Sequence, residues 1–231
     1  MSRRALVTGT ARGIGRAVAD VLAAQGLDVV GVDVLAQEDG PCAETIRADL
    51  SDVAECRRVL AEAGDVEVLV NNAAVLFRTP LEEFGVDEFD RTVAVNLRAV
   101  FLLSQALAPA MSKRGWGRIV NVSSIGARDG HLTHGTVYAA TKAGVIAVTR
   151  SFALRYGSSG VTVNAVAPGG VETEMVATMP AEVRTRYVAE IPAGRFCAPD
   201  EVAAVVAFLV GDEASFVNGA TVDVNGGWYM G

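Results

Sequence analysis

Strand-like and helix-like segments alternate along almost the whole chain, and this alternation restricts the possible folds more than any other feature. Consecutive parallel strands must be joined by a crossover, which is usually a helix, so the alternation is typical of a parallel sheet with helices on both faces. The predicted strands are Ala5–Thr8, Asp28–Asp33, Thr45–Asp49, Val66–Asn71, Gly117–Ser123, Val161–Val166 and Thr221–Val224. The predicted helices are Gly13–Gln25, Val53–Ala63, Val86–Lys113, Thr136–Gly157, Glu172–Ala189 and Pro199–Val210.

This order predicts an α/β protein: a single-domain doubly wound Rossmann-type fold over residues 1–231, with a parallel seven-stranded sheet between two layers of helices. Apolar residues make up 51% of the chain and glycines number 24, which suits such a sheet. Residues 172–190 are predicted to form a small lid. The segment Val34–Glu44 is short and contains Gly40-Pro41, so we expect a loop where a crossover helix would otherwise lie.

The first strand is followed by Gly9, Gly13 and Gly15 in the spacing G-x-x-x-G-x-G, and then by a helix. Glycines let the backbone approach phosphate oxygens, and the helix N-terminus offers unpaired N–H groups and partial positive charge. A purely structural turn would show the same string. The second predicted strand ends at Asp33, whose carboxylate could accept hydrogen bonds from both hydroxyls of an adenosine ribose.

Tyr138 and Lys142 stand four residues apart at the start of a predicted helix, so their side chains should share one face. A nearby ammonium favours phenolate over phenol, so we expect Lys142 to lower the pKa of Tyr138. A tyrosine adjusted in this way can act as a general acid and base. The alternative is an interfacial tyrosine beside a solvated lysine.

These features occur in a fixed order together with several shorter motifs, and the chain resembles the short-chain dehydrogenase/reductase family from Ala5 to Gly227. The motifs that carry the resemblance are Thr8-Gly9-x-x-x-Gly13-Ile14-Gly15, Asn71-Asn72-Ala73-Ala74, Asn96, Ser124, Tyr138-x-x-x-Lys142 and Pro168-Gly169. The chain is similar to 3-oxoacyl reductase-like and dihydrodiol dehydrogenase-like members, and the shortened Val34–Glu44 segment is compatible with both.

The resemblance implies four catalytic residues. Tyr138 would exchange a proton with the substrate oxygen, Lys142 would bind the nicotinamide ribose, and Ser124 would hydrogen-bond the substrate oxygen. Ser123 is the alternative serine, because the Ser124–Tyr138 spacing is one residue longer than usual. Asn96 would support a water on the proton path. His131 and His134 are interpreted as loop residues or substrate contacts, and no metal site is expected.

The resemblance also implies a dinucleotide site, in which Asp49-Leu50 would contact adenine while Val171 and Thr173 would bind the nicotinamide carboxamide. Asp33 repels a 2′-phosphate and favours NAD(H); Arg12 could pair with that phosphate, so NADP(H) is the less favoured cofactor. The complete predicted cofactor set is Gly9, Arg12, Gly13, Ile14, Gly15, Asp33, Asp49, Leu50, Asn72, Ala73, Ala74, Tyr138, Lys142, Pro168, Gly169, Val171 and Thr173.

The leading prediction is therefore an oxidoreductase that transfers a hydride between NAD(H) and a secondary alcohol or ketone. The alternatives are an NADP(H)-dependent 3-oxoacyl thioester reductase, acting on acyl-carrier or coenzyme A substrates, and a non-catalytic dinucleotide-binding sensor. The net charge of −7 argues against nucleic-acid or anionic-membrane partners.

We also expect a cytoplasmic protein that does not span a membrane, with three free thiols, Cys42, Cys56 and Cys197. The two long helices carry apolar residues on more than one face, which predicts a homotetramer or homodimer.

Overall fold

The seven strands that the described residues form belong to one parallel sheet in the order β3-β2-β1-β4-β5-β6-β7. The computed structural model describes residues 2–37, 40–129, 135–177 and 179–231. The strands are β1 (Arg4–Thr8), β2 (Asp28–Asp33), β3 (Glu44–Arg47), β4 (Val68–Asn71), β5 (Gly117–Val122), β6 (Val161–Pro168) and β7 (Thr221–Val224). The order reverses between β1 and β4, which confirms the predicted doubly wound fold.

Helices cover both faces of the sheet, and each face has its own apolar core. On one face α1 and α9 contribute Val18, Leu22 and Val206. On the other, α2, α4 and α6 contribute residues such as Val59 and Leu103. The helices are α1 (Gly13–Ala24), α2 (Val53–Ala63), α3 (Val86–Val93), α4 (Val100–Arg114), α5 (Gly126–Asp129), α6 (Thr136–Tyr156), α7 (Glu174–Ala177), α8 (Ala181–Glu190) and α9 (Pro199–Val210).

Several predicted elements differ from the observed ones in their bounds, and three of these differences have a local cause. The third strand was predicted over Thr45–Asp49, but β3 ends at Arg47 because its pairing partner β2 ends at Asp33. The helix predicted over Val86–Lys113 consists of α3 and α4 joined by a π-helical turn, Ala94–Ala99. The predicted lid helix is divided into α7 and α8, since Pro180 cannot continue a helix and instead precedes the first residue of α8.

The connection between β2 and β3 is short, as predicted. In residues 34–37 and 40–43, the parts of this connection that the structure describes, the chain forms no helix. Val34 and Leu35 are 49% and 44% exposed there. The shortened crossover therefore leaves the chain just after Asp33 open to solvent.

By length and composition, Val86–Arg114 passes as a membrane span, with a mean hydropathy of 1.4. Half of the most apolar 18-residue stretch of this segment is buried within the protein, where α4 packs against α2, α6 and the central strands. These contacts account for its apolar character, since a core helix of a globular domain has the same composition. The three cysteines are free thiols, as expected: Cys56 is buried, and Cys42 and Cys197 are half-buried.

Candidate active site

The predicted functional segments meet at the carboxyl edge of the sheet. Thr8, Asp33, Asn71 and Pro168 are the last residues of β1, β2, β4 and β6. The Ser123-Ser124 pair follows directly after β5. Open parallel sheets bind ligands at this edge, where the strand order reverses. The sheet topology therefore brings residues that are far apart in sequence together in one cleft.

The glycine-rich turn after β1 is shaped by close backbone approaches. Gly9 has a φ of +77°, and a Cβ on it would lie 2.7 Å from Asn72 Nδ2. A Cβ on Gly15 would overlap the Gly9 carbonyl. Asn72 Nδ2 donates to the carbonyls of Thr8 (2.9 Å) and Gly9 (3.2 Å). Asn72, predicted as a cofactor contact, thus also fixes the turn through its side chain.

Thr8 joins the same turn to the chain after β4, a role that was missed from the sequence. Its hydroxyl oxygen accepts hydrogen bonds from the backbone N–H groups of Asn72 and Ala73, each at 3.0 Å. Ala73 and Ala74 follow, half-buried, along the edge of the cleft. The position of Thr8 immediately before Gly9 was the available signal, since a hydroxyl at a strand end can bind neighbouring amides.

This turn fits a dinucleotide pyrophosphate. The glycines leave space beside the backbone, and Gly13, Ile14 and Gly15 form the first turn of α1. No side chain caps the N-terminus of α1, so its first N–H groups lack a capping side-chain acceptor. Anions bind at such helix ends through these groups and the helix dipole.

Asp33 lies where the adenosine ribose of a bound dinucleotide would be expected. Its carboxylate accepts hydrogen bonds from the backbone N–H groups of Ala11 (3.0 Å) and Leu35 (2.9 Å). These bonds fix the carboxylate between the glycine-rich turn and the open segment after β2. Arg12, the residue that could favour NADP(H), forms an ion pair with Glu174 of α7.

Asp49 and Leu50 lie just beyond β3 and differ in accessibility. Asp49 accepts hydrogen bonds from Ser51 N and Arg91 Nη2, each at 3.0 Å. Burial alone would raise the pKa of Asp49, but the hydrogen bonds from Ser51 and Arg91 outweigh this effect and lower that pKa. The Leu50 side chain is buried in the core. An adenine contact from Leu50 would therefore use its backbone, whereas Asp49 is partly exposed at the edge.

Ser124, Tyr138 and Lys142 come together at the end of β5 and the start of α6. The Ser124 side chain lies near the Tyr138 hydroxyl and acts on the pKa of Tyr138 as a hydrogen-bond partner. Lys142 Nζ lies 5.6 Å from the centre of the Tyr138 ring and donates to the Val122 carbonyl at 2.7 Å. Lys142 is 2% exposed. Tyr138 and Lys142, the predicted i, i+4 pair, thus lie beside Ser124 at the carboxyl edge. Because Lys142 is buried, the alternative of a solvated lysine is wrong.

The expected lowering of the tyrosine pKa by Lys142 is wrong for this structure. Burial raises the pKa of Tyr138 to about 12, and the hydrogen bond with Ser124 only partly opposes that rise. Burial also lowers the pKa of Lys142 to about 8. Removal of both groups from water disfavours their charged forms, phenolate and ammonium, so the pKa of each group moves in the direction that favours its neutral form.

The two serines after β5 have different partners. Ser123 Oγ donates to the Lys142 carbonyl at 2.8 Å, which attaches β5 to α6. Ser124 Oγ accepts from Gly126 N at 3.1 Å and also contacts the tyrosine. The Ser123 hydroxyl is thus occupied by Lys142, whereas Ser124 acts on Tyr138, which favours Ser124 as the residue that would meet the substrate oxygen.

Asn96 is fully buried in the π-helical turn between α3 and α4. Its Oδ1 accepts from Val75 N (2.8 Å), and its Nδ2 donates to Val75 O (2.9 Å) and more weakly to Thr141 Oγ1 (3.4 Å). The side chain therefore joins the segment after β4 to the helix that carries Tyr138. Short π-helical turns inside α-helices often lie at functional sites, but no pattern in the sequence indicated this one.

Replacing Asn96 with Ala should lower the free energy of unfolding by about 2–4 kcal/mol, because the N–H and C=O of Val75 lose buried partners. Urea denaturation checks this value. Thr141→Val is the matched control, since it keeps both Val75 bonds and removes only the 3.4 Å contact with Asn96 and the 2.7 Å bond from Thr141 Oγ1 to the Tyr138 carbonyl. An equal loss in both variants would contradict the role assigned to the Val75 bonds.

The segment predicted to form a lid, residues 172–190, follows β6 after a short connection. Gly169 N donates to the Val224 carbonyl, which joins Pro168-Gly169 to β7. Val171 is buried and pairs with Cys197 in an isolated bridge. The Thr173 methyl group lies 3.1 Å from where a Cβ on Gly13 would be. The lid therefore starts against the glycine-rich turn and can contact whatever ligand that turn binds.

A small apolar cluster anchors the rest of the lid. Tyr187, Ile191 and Phe196 are buried, and the Tyr187 and Trp228 rings lie 5.4 Å apart. Trp228 Nε1 donates to Glu190 at 3.2 Å. The C-terminal tail thus packs on the lid.

His131 and His134 lie outside the described residues, as does most of the Arg128–His134 loop.

The chain matches one family model over residues 9–229, described as enoyl-(acyl carrier protein) reductase. It is 40% identical to the 3-oxoacyl-[acyl-carrier-protein] reductase of Salmonella typhimurium, over 98% of this chain and 97% of that protein. It is also 40% identical to the acetoacetyl-CoA reductase of Rhizobium meliloti, with full coverage of both chains.

Two solved structures extend this similarity. The 3-oxoacyl-[acyl-carrier protein] reductase of Brucella melitensis has a TM-score of 0.92 and 36% identity, over 99% of this chain and 92% of that one. A Beutenbergia cavernae protein, provisionally named an NAD(P)-dependent gluconate 5-dehydrogenase and containing NADP at low occupancy, has a TM-score of 0.91 and 37% identity, over 98% and 96%. The chain is therefore a dinucleotide-binding oxidoreductase of the short-chain dehydrogenase/reductase family.

Proposed function

We propose that this protein reduces the ketone of a 3-oxoacyl thioester, with Tyr138 as the proton donor. The observation that carries the proposal is similarity over the whole chain to two reductases that act on the same acyl group with different carriers, acyl carrier protein and coenzyme A. This substrate class replaces an unspecified secondary alcohol or ketone as the leading hypothesis.

The residues at the carboxyl edge have the chemistry that a carbonyl reduction requires. A bound nicotinamide dinucleotide supplies the hydride. Ser124 would donate a hydrogen bond to the carbonyl oxygen, and Tyr138 would give that oxygen its proton. Lys142, whose Nζ lies 5.6 Å from the tyrosine ring centre, would stabilise the phenolate left behind. The apolar lid cluster would limit access of water.

We infer that the cofactor is NAD(H), on the basis of Asp33. Its carboxylate is held at the end of β2 by two backbone N–H groups, and a 2′-phosphate next to it would meet like charge. The Beutenbergia cavernae relative has NADP bound, so the shared fold accommodates the phosphorylated cofactor. The choice in this chain therefore depends on the local charges around Asp33.

Wild-type protein should bind NADH at least about tenfold more tightly than NADPH, a difference of about 1.4 kcal/mol. Asp33→Asn should remove most of this preference, because the amide keeps the shape of the side chain without its charge. Calorimetric titration of both dinucleotides measures the ratio. Asp28→Asn, at the opposite end of the same strand, is the control, and a wild-type preference for NADPH would refute the assignment.

The test of the substrate class is a reduction assay with acetoacetyl-CoA, 3-oxoacyl-[acyl carrier protein] and crotonyl-CoA, each with NADH and with NADPH. Turnover of either 3-oxo substrate supports the proposal and shows which carrier is preferred. Turnover of crotonyl-CoA alone would mean reduction of a carbon–carbon double bond, in line with the description of the family model, and would overturn it.

A second candidate is NAD-linked oxidation of a secondary alcohol, which Asp33 favours because NAD⁺ more often serves oxidation. Turnover of secondary alcohols with NAD⁺, without turnover of acetoacetyl-CoA, would select it. A non-catalytic sensor would bind dinucleotide and turn over none of these compounds, and the assembled Ser124, Tyr138 and Lys142 make that outcome the least expected.

We also propose that the protein works in the cytoplasm as a homotetramer or homodimer. On the outer faces of the two long helices, Phe101 is 40% exposed and Leu154 is 89% exposed. Exposed apolar groups on a helix face favour contact with another subunit. Sedimentation analysis of the purified protein would measure the oligomeric state.

A further inference from the structure

We propose that Glu174, on the lid, strengthens the preference for NAD(H) by binding Arg12 and keeping its guanidinium away from a 2′-phosphate. This inference rests on the proposed function in one respect only, namely that the carboxyl edge binds a nicotinamide dinucleotide. Glu174 would be a positioning residue, since it acts through Arg12 and need not touch the cofactor.

The lid and the glycine-rich turn are in direct contact beside Arg12. Arg12 immediately precedes α1, and Glu174 is the first residue of α7. An ion pair joins Arg12 Nη1 to Glu174 Oε2. The neighbouring Thr173 methyl group lies against Gly13. The two segments are thus adjacent at successive residues, and the ion pair is part of a continuous contact.

Arg12 starts close to the expected ribose site. Asp33 accepts a hydrogen bond from Ala11 N at 3.0 Å, so the acid expected to face the ribose touches the residue next to Arg12. An arginine side chain that starts one residue away can reach a phosphate at that position. Guanidinium–phosphate pairs are charge-assisted and often bidentate, which makes Arg12 the natural cation for a 2′-phosphate.

Glu174 and a 2′-phosphate would compete for the Arg12 guanidinium. While Arg12 pairs with Glu174, a 2′-phosphate would have to break the pair or bind beside Asp33 without Arg12. Arg12 and Glu174 are 59% and 64% exposed, so solvent screens their attraction and the pair is weak. Removing the Glu174 carboxylate should therefore have a modest effect, confined to the cofactor that carries the phosphate.

Calorimetric titration of Glu174→Gln with NADPH should show binding about fivefold tighter than in wild-type protein, the factor that corresponds to about 1 kcal/mol. The dissociation constant for NADH should stay within about twofold. In the double variant Arg12→Gln/Glu174→Gln the gain for NADPH should vanish, because the freed cation is no longer present.

Glu172→Gln is the matched control. Glu172 lies on the same lid segment and pairs with Arg184 instead of Arg12, so this change removes the same charge close by without releasing Arg12. The inference is overturned if Glu172→Gln tightens NADPH binding as much as Glu174→Gln does, if NADH binding tightens equally, or if the gain persists without Arg12.

These results are independent of the acyl substrate, because only dissociation constants are measured. If wild-type protein binds neither dinucleotide, the proposed function fails. If wild-type protein binds dinucleotide and the two glutamate variants behave alike, the inference about Glu174 fails and the proposed function stands.

Discussion

Replacing Tyr138 with Phe should reduce turnover of the 3-oxo substrate by at least about a thousandfold, because the variant has no hydroxyl to give the carbonyl oxygen its proton. The affinity for the dinucleotide should change by no more than a few-fold, since the ring remains in place. The fold should also persist, because Ser124 Oγ keeps its hydrogen bond from Gly126 N. Steady-state reduction of acetoacetyl-CoA and calorimetric titration of NADH measure the two effects.

Tyr156→Phe is the matched control for this experiment. Tyr156 is the last residue of the same helix, α6, and is partly buried against the apolar core. The same loss of a hydroxyl at the far end of the helix should leave turnover nearly unchanged. Substantial residual activity in Tyr138→Phe, with Tyr156→Phe normal, would mean that another group supplies the proton.

Replacing Lys142 with Met should reduce turnover by about a hundredfold or more, because Tyr138 then loses the cation beside its phenolate. The same substitution should stabilise the folded protein at pH 7. Lys142 is buried, and that burial lowers its pKa from 10.5 to about 8. Linkage gives an upper limit of about 3 kcal/mol for the destabilisation that this shift represents. The lost hydrogen bond to Val122 O offsets about 1 kcal/mol of the gain.

The sign of the pH dependence follows from proton counting. Below pH 8 both the folded and the unfolded chains carry the proton on Lys142, so the burial penalty is fully present. Between pH 8 and 10.5 the unfolded chain still binds that proton while the folded chain releases it, and the stability of the wild-type protein rises with pH relative to Lys142→Met. The advantage of the methionine variant should therefore shrink across this interval.

Urea denaturation of both proteins at pH 7, 8 and 9.5 would measure this change. Burial raises the pKa of Tyr138 to about 12, so the tyrosine stays protonated in the folded protein across this pH range and contributes little to the difference. A constant difference between the two proteins across these pH values would mean that Lys142 keeps an ordinary pKa in the folded protein. A variant less stable than wild type at pH 7 would mean that the lysine stabilises the fold through its contacts.

Where one local pattern has one physical outcome, the sequence predicted the structure correctly. The alternation of strands and helices led to the parallel sheet, and strand ends carrying Thr8, Asp33 and Asn71 led to one edge of it. The i, i+4 spacing placed Tyr138 and Lys142 together. These inferences needed only the periodicity of helices and strands and the rule that parallel strands share a carboxyl edge.

The electrostatics of the site were predicted less well. Lys142 was expected to lower the tyrosine pKa, yet burial raises the pKa of Tyr138 to about 12 and lowers that of Lys142 to about 8. A sequence shows that two groups are neighbours but not how much water surrounds them. Desolvation depends on all the chain segments that cover a group, and these come from distant parts of the sequence.

The sequence by itself determined the fold class, the cleft edge and most of the residues proposed for the site, because these depend on local periodicity and strand ends. Only the tertiary structure showed that Ser123 joins β5 to α6, which leaves Ser124, the serine already favoured from the sequence, beside Tyr138. It also decided that Arg12 pairs with Glu174, which lies 162 residues further along the chain. Such partners are set by how the lid packs on the glycine-rich turn, and no spacing within either segment encodes that contact.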